Sequence, residues 1–473
     1  MKQGRGLGAD DQPLVHVAEY GRTFRQRDRP IHPSANADEL RQTFAIPLPD
    51  EKRSGTDVIK QLIEAAEPGL VGNTDPNFFA WVMGSSDPVG VAADWLTSIW
   101  GQNAAIFQTS PAAAIAEEAV ASWLIELLDL PRESSVGLVT GATMAAFVGL
   151  AAARSEVLAR AGCDFEETGL QGAPLVRVFA SDDAHTTNFA ALRHLGFGEA
   201  NIHRVPSDHQ GIMHADPLAQ AMQVSKGPKI VITQAGHINS GAFEDFEAIS
   251  QLARQHNAWV HVDGAFGLWA RVLPEKQYLT RGVELADSWS VDGHKWLQIP
   301  YDSGFAIVRH ADAHKRAMDI SAGYLNQSLG DGRNPTEFNP ELSRRARGFA
   351  AWAVLQCLGR TGVKEIISQH CNATAHLAAE LQDLHRLEIQ NSVDLNQIVL
   401  GACKAHQTPE SDRKILELSD ILNRDYGVFV RQARWKDRVV LRLSVISQDS
   451  NCEHIRKLAK AIRTSWQQIS VGQ

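Results

Sequence analysis

Two residues, Asp263 and Lys295, carry the strongest chemistry in this 473-residue chain. Asp263 lies in the run AWVHVDGAFG, and Lys295 follows His294 in ADSWSVDGHKW. Trp259, Val260 and Val262 favour a strand, and a glycine follows where that strand would end. Period-two geometry puts His261, Asp263 and Ala265 on one face and Val260 and Val262 on the other, so a carboxylate projects from the strand end beside a small residue. Residues 288–291 form a second short strand whose exit carries the lysine. An acid on one strand end and an amine on its neighbour suit a pyridoxal phosphate site. There the amine forms a Schiff base with the aldehyde, and the acid keeps the pyridine nitrogen protonated so that the ring stays an electron sink. An Asp–Lys ion pair between two strands would use the same residues.

The elements that must position this pair follow from the flanking text. A strand at 136–140 runs into Gly141-Ala142-Thr143 and a helix at 144–160. Strand, glycine turn and helix N-terminus together form an arrangement whose free N–H groups and dipole favour a phosphate, although many plain α/β turns look the same. No GxxxxGK[ST] occurs, so a nucleotide triphosphate loop is excluded. A strand at 175–180 ends in Ser181-Asp182-Asp183-Ala184-His185. Strands at 201–205 and 229–234 follow, the second leading to His237 and Asn239, with helices at 217–223 and 246–256. Such alternation implies a largely parallel sheet with ligands at the carboxyl ends of its strands, where Thr143, His185, His237, Asp263 and Lys295 all fall.

Outside this region, residues 1–45 read as an extended polar arm with one helix at 37–43, followed by an amphipathic helix at 56–66 capped by Thr56. Residues 73–84 are an apolar, aromatic loop whose simplest role is core packing. Helices at 88–100 and 112–128 flank a break at 101–111. Downstream, 301–308 is a strand, and the Gly-, Asn- and Pro-rich stretch 321–347 reads as a long loop of the kind enzymes use as lids. Helices at 348–358 and 363–384 lead to strands at 398–400, 428–431 and 439–444 and a final helix at 452–467. The expected division is an N-terminal arm and helical segment (1–87), a large cofactor-binding domain (88–347) and a small α+β domain (348–473).

The totals narrow the class. A formal net charge of −9 argues against a nucleic-acid or anionic-membrane partner. Five cysteines without a CxxC indicate neither a disulfide framework nor a zinc site, and fit the cytoplasm. No signal-peptide core and no run of about eighteen apolar residues is visible, so no membrane span is expected. The histidines lack HExxH-type spacing, which removes a metal hydrolase.

HVDGAFG with SWSVDGHKW closely resembles the pyridoxal-dependent decarboxylases of group II, relatives of the aromatic amino acid and glutamate decarboxylases. GATMAA and SDDAH extend the resemblance across roughly residues 30–470. It implies the aspartate aminotransferase-like fold type I, pyridoxal 5′-phosphate as cofactor, and a homodimer with its active site at the subunit interface. By position it makes Lys295 the Schiff-base lysine, Asp263 the ring-nitrogen acid, Ala265 a small residue on one ring face and His185 the ring-stacking histidine. His294, Ala142 and Thr143 go to the phosphate, with Asn239 a further cofactor contact. Trp81, Val82 and Met83 would line the substrate entrance. Asn103 and Phe107 would reach the partner's site, and Tyr324 would protonate Cα after carbon dioxide leaves. The implied activity is decarboxylation of an L-amino acid, with an aromatic side chain among the candidates and an arginine selecting an acidic one still open. Oxidative deamination to an aldehyde, aldol-type cleavage and transamination are alternatives on the same scaffold, and a degenerate cofactor-binding protein is a non-enzymatic one.

Overall fold

In the computed structural model, which describes residues 12–27, 29–320 and 332–471, the apolar runs of the middle of the chain become seven strands of one sheet. They are β1 (Ser135–Val139), β2 (Arg177–Ser181), β3 (Ile202–Val205), β4 (Lys229–Gln234), β5 (Trp259–Asp263), β6 (Ser288–Asp292) and β7 (Gly304–Val308). Their order is β1-β7-β6-β5-β4-β2-β3. β7 pairs antiparallel with both β1 and β6, and the other pairings are parallel. The link from β6 to β7 is too short for a helical crossover, so β7 has to reverse direction. β1, β4, β5, β6 and β7 are buried along their whole length, as expected of strands covered on both faces.

Helices α1 (Gln12–Phe24), α2 (Ala37–Phe44), α3 (Gly55–Ala66), α4 (Pro88–Trp100) and α5 (Pro111–Leu127) precede the sheet. Helices α6 (Ala142–Arg160), α7 (Phe165–Thr168), α8 (Thr186–His194), α9 (Ala215–Val224), α10 (Phe246–Gln255) and α11 (Ala311–Met318) cover it. α6 is long and apolar enough to cross a membrane. It is a core helix instead, packed on β5, β6 and β7, with Gly149 letting the His261 ring come close.

The long helix α12 (Gly348–Glu380) breaks at Gly359, where φ is +58°. It packs on α4 and α5, then leads to β8 (Leu387–Ile389), β9 (Gln397–Ala402), α13 (Pro409–Asp425), β10 (Arg431–Trp435), β11 (Arg438–Ser444) and α14 (Cys452–Val471). The four strands form a second, antiparallel sheet in the order β10-β11-β9-β8. Leu441, Leu443, Leu418 and Ile462 lie in its separate core.

Several expectations change. Residues 12–24 of the presumed extended arm are a helix. Ser54, not Thr56, caps α3, its side chain accepting the N–H of Asp57. Residues 428–430 do not begin a strand of the small sheet, because Phe429 bonds the loop 73–84 instead: its N–H goes to Asn77 and its C=O accepts from Phe79. β8 was not anticipated. Residues 332–347 are irregular as expected of a loop, but they are packed rather than lid-like, since Thr336, Phe338, Asn339 and Arg344 are buried. Tyr324 lies outside the described residues.

Candidate active site

A cavity of about 250 Å³ opens at the carboxyl ends of the parallel strands. Asp263, at the end of β5, borders it. One carboxylate oxygen accepts the Asn188 side-chain N–H at 2.8 Å and the other the Ala265 N–H at 3.2 Å. Both donors hold the group in one orientation. Ala265 itself borders the cavity, and so does His185.

His185 caps α8, and its Nδ1 accepts the Thr187 N–H at 3.4 Å with the Thr187 hydroxyl 2.6 Å away. The proton therefore sits on Nε2. Burial lowers the His185 pKa; Asp263 opposes this, and Lys295 and Arg442 reinforce it. Its backbone N–H is fixed by the Gln234 side-chain oxygen at 3.2 Å.

Lys295 follows β6 and its Nζ lies 2.7 Å from Asp292 Oδ2. Asp292 Oδ1 accepts the Ala142 N–H at 2.5 Å and lies 3.4 Å from His294 Nε2. One buried carboxylate thus ties the lysine, the histidine and the first turn of α6 together. His294 Nδ1 accepts the Ser303 N–H at 3.3 Å, and its ring stacks on Tyr301 at 4.4 Å. Burial lowers the His294 pKa against the pull of Asp292. The start of α6 has no side-chain cap, and Gly141, Ala142 and Thr143 line the cavity. A side chain at Gly141 would meet the His294 ring at 2.9 Å.

This donor set fits pyridoxal phosphate. A helix start with a hydroxyl and a neutral imidazole beside it suits a phosphate, with the Ala142 N–H already taken by Asp292; an oriented carboxylate suits a ring nitrogen, and a lysine faces the same space. The buried Gln234 Nε2 and Asn188 Oδ1 at the site have no partner among the described residues, as expected of groups that await a ligand or water.

Lys295, Asp263, His185, Ala142, Thr143, Ala265 and His294 therefore surround one cavity. Asn239 does not: its N–H turns to His237 Nδ1, and Gly236 and Ile238 supply that part of the wall. His237 is likewise a structural residue, bonded to Ser240 and Asp183. Trp81, at φ +56°, packs at a tilt against Phe78 and Phe429, and Met83 packs beside the same rings. Asn103 accepts the Arg344 N–H, and the Phe107 N–H bonds Asn334. Trp81, Met83, Asn103 and Phe107 are all absent from the cavity wall of the single chain.

Sequence reading missed Asp292, Asn188 and Arg442. Asp292 is one residue past the expected strand end and shares a face with Ser288 and Ser290. Arg442 alternates with Leu441 and Leu443 on β11, so its side chain leaves the small core on the opposite face. It is 7% exposed and has no hydrogen bond or ion pair to another described residue, and burial pushes its pKa down to about 10. Its charge nevertheless bears on His185.

The pyridoxal-dependent decarboxylase conserved domain matches residues 38–402. Tryptophan decarboxylase 1 of Oryza sativa subsp. japonica is 29% identical over 97% of this chain and 94% of its own length. The aromatic-L-amino-acid decarboxylase of Rattus norvegicus is 26% identical over 92% and 93%. The crystal structure of Oryza sativa TDC with PLP and tryptamine superposes with a TM-score of 0.89 at 25% identity, covering 99% of this chain and all of that one. Rhodiola rosea 4-hydroxyphenylacetaldehyde synthase reaches 0.87 at 22% identity over 98% and 99%, a likeness of fold alone.

Proposed function

Since this chain belongs to the pyridoxal-dependent decarboxylase family and uses pyridoxal phosphate, we propose that it converts an aromatic L-amino acid to the corresponding amine and carbon dioxide. One observation carries the reading. Lys295, Asp263 and the start of α6 with Thr143 border a single cavity, and each offers the partner that one group of the cofactor needs.

Pyridoxal phosphate, when bound, supplies the electron sink for the pair left on Cα as the carboxylate departs. In this reading Thr143, the first-turn N–H groups of α6 and His294 hold its phosphate. Asp263 would hold a proton on its ring nitrogen, and Lys295 would be the residue that anchors its aldehyde group. His185 and Ala265 enclose the ring. Arg442, a buried cation without an anionic partner among the described residues, takes the substrate's α-carboxylate and orients it for departure. Tyr324 protonates Cα.

A homodimer is part of the same proposal. α1 and α2 bury no residue within the chain, a marginal state for short helices in water. Trp100, Ile115 and Trp352 are also exposed and line one apolar groove between α4, α5 and α12, and Ile99, next to Trp100 in the chain, is exposed as well. A second copy seated there would meet the loop between α4 and α5 that carries Asn103 and Phe107, which supports their role in the partner's site. The five cysteines are all free, consistent with the cytoplasm.

The test is product analysis of the purified holoenzyme against the amino acids and their hydroxylated derivatives. Amine and carbon dioxide from aromatic substrates are expected. Aldehyde as main product, or full turnover by Lys295→Ala, would overturn the reading. Tyr324→Phe should retain cofactor while diverting product from amine to aldehyde; an unchanged amine yield and rate would remove Tyr324 from the mechanism. Arg442 also favours a second reading, an acidic amino acid whose side-chain carboxylate it would bind, which the same substrate screen separates.

A further inference from the structure

The second aspartate of Ser181-Asp182-Asp183-Ala184-His185 takes no part in the cavity, yet it ties the two sheets together. Asp183 Oδ2 accepts the indole N–H of Trp435 at 2.6 Å. The same oxygen lies 3.3 Å from His237 Nε2 and 3.4 Å from Lys436 Nζ. Trp435 ends β10, and Lys436 and Asp437 form the turn into β11, both at positive φ (47° and 61°), the geometry of a tight two-residue hairpin. Lys436 reaches on to the Ser207 hydroxyl at 2.8 Å, while the Ser207 N–H bonds Asp182 at 3.0 Å. The His237 ring lies 5.8 Å from that of Trp435, and a side chain at Gly211 would strike it at 2.7 Å, so its position is fixed from both sides. Burial acts to raise the Asp183 pKa, but hydrogen bonds from His237 and Trp435, with the charges of His237 and Lys436, hold it well below the usual carboxylate range.

The two ends of this latch lead to His185, on the cavity wall, and to Arg442, which is absent from that wall but whose charge bears on His185. On one side Asp183 lies two residues before His185, at the end of β2. On the other, β11 leaves the hairpin and carries Arg442, about 13 Å along the strand from Arg438 at the usual rise per residue. We propose that Asp183 is a positioning residue: by clamping the β10–β11 turn against His237 and the end of β2, it fixes Arg442 relative to His185 for the substrate carboxylate. This rests on the reading of Arg442 given above.

Steady-state kinetics of the holoenzyme variants Asp183→Ala, Asp183→Asn, Trp435→Phe and Arg442→Met test it, with inhibition by the amine product and cofactor affinity by absorbance titration measured alongside. The amine lacks the carboxylate, so its binding does not depend on Arg442. Asp183→Ala should raise KM for the amino acid about tenfold or more while the amine inhibition constant and cofactor affinity stay within about twofold. Asp183→Asn keeps an acceptor for Trp435 and should recover most of the KM. Trp435→Phe, which keeps the ring and loses only the N–H, should show the same pattern more weakly. An unchanged KM in Asp183→Ala, or a rise matched by the amine inhibition constant, overturns the proposal, the second because it reports general loosening. If Arg442→Met leaves KM unmoved, the carboxylate reading fails and takes the latch with it; if Arg442→Met raises KM and Asp183→Ala does not, the latch alone is wrong.

Discussion

Asp263 and Asp292 divide the electrostatic work of the cavity between them. Asp263 is held by two N–H donors and faces the space where a ring nitrogen would sit, whereas Asp292 is committed to Lys295, His294 and the start of α6. A carboxamide at 263 keeps the shape and loses the charge. Asp263→Asn should therefore retain the cofactor, held by its phosphate and Lys295, while kcat falls about ten- to a hundredfold, the worth of a charge-assisted hydrogen bond. Absorbance titration and single-turnover rates check both halves, and an unchanged kcat would remove Asp263 from the ring-nitrogen role. Gly84 sets a steric limit beside the lysine, since a Cβ there would lie 1.8 Å from the His294 carbonyl oxygen and 2.5 Å from that of Lys295. Backbone cannot yield as a flexible side chain does, so Gly84→Ala should displace the His294-Lys295 turn and weaken cofactor binding, as measured by the same titration.

Among the elements, the segment 332–347 is fixed by buried charge. The Arg344 guanidinium, fully enclosed, pairs with Glu117 of α5 at 2.5 Å and donates to the carbonyls of Ala104 and Leu138. Arg333 donates to the Val136 carbonyl and lies over the Phe338 ring. These bonds anchor the segment on β1 and α5. Removing one partner of a buried pair leaves the other charge uncompensated, so Glu117→Ala should destabilise the protein by about 3–5 kcal/mol in urea unfolding. A loss below about 1 kcal/mol would show that the pair is dispensable. Composition did not reveal this anchoring. Gly, Asn and Pro mark a lack of regular structure, but whether an irregular segment is buried depends on partners far away in sequence.

For the whole molecule, two buried histidines link packing to pH. His370 on α12 accepts the Trp296 indole N–H at 2.9 Å, so its Nδ1 is unprotonated, and its Nε2 meets the Ser447 carbonyl at 3.0 Å. His314 bridges Ser135 and the Phe338 carbonyl. Burial pushes their pKa values down to about 4 and about 3. Below the unfolded value near 6.5 the unfolded chain binds protons that the folded one refuses, so stability falls as pH drops from about 6.5 toward 4, by roughly 1.4 kcal/mol per unit for each group. Urea midpoints between pH 7 and 5 measure this, and His370→Gln should flatten the slope. On the outer face, Ile99→Glu should give monomers by sedimentation and lower activity with them; an active monomer would refute the shared site.

Local text determined the seven strands of the large sheet, most helices and the placing of Asp263 and Lys295 at strand ends, because strand alternation and glycine turns act over a few residues. The resemblance carried by GATMAA, SDDAH, HVDGAFG and DGHKW singled out Ala142, Thr143, His185, Ala265 and His294, and all five border the cavity. Only the tertiary structure decided that Asn239 is absent from the cavity wall, that Asp292 borders it beside the lysine, and that the Asp183 latch joins the end of β2 to the small sheet. The latch joins segments some 250 residues apart, a separation across which no local periodicity encodes the partner; His237 beside Asn239 and Lys295 beside Asp292 lie close in the chain, but whether Asn239 or Asp292 borders the cavity depends on how distant strands pack around it.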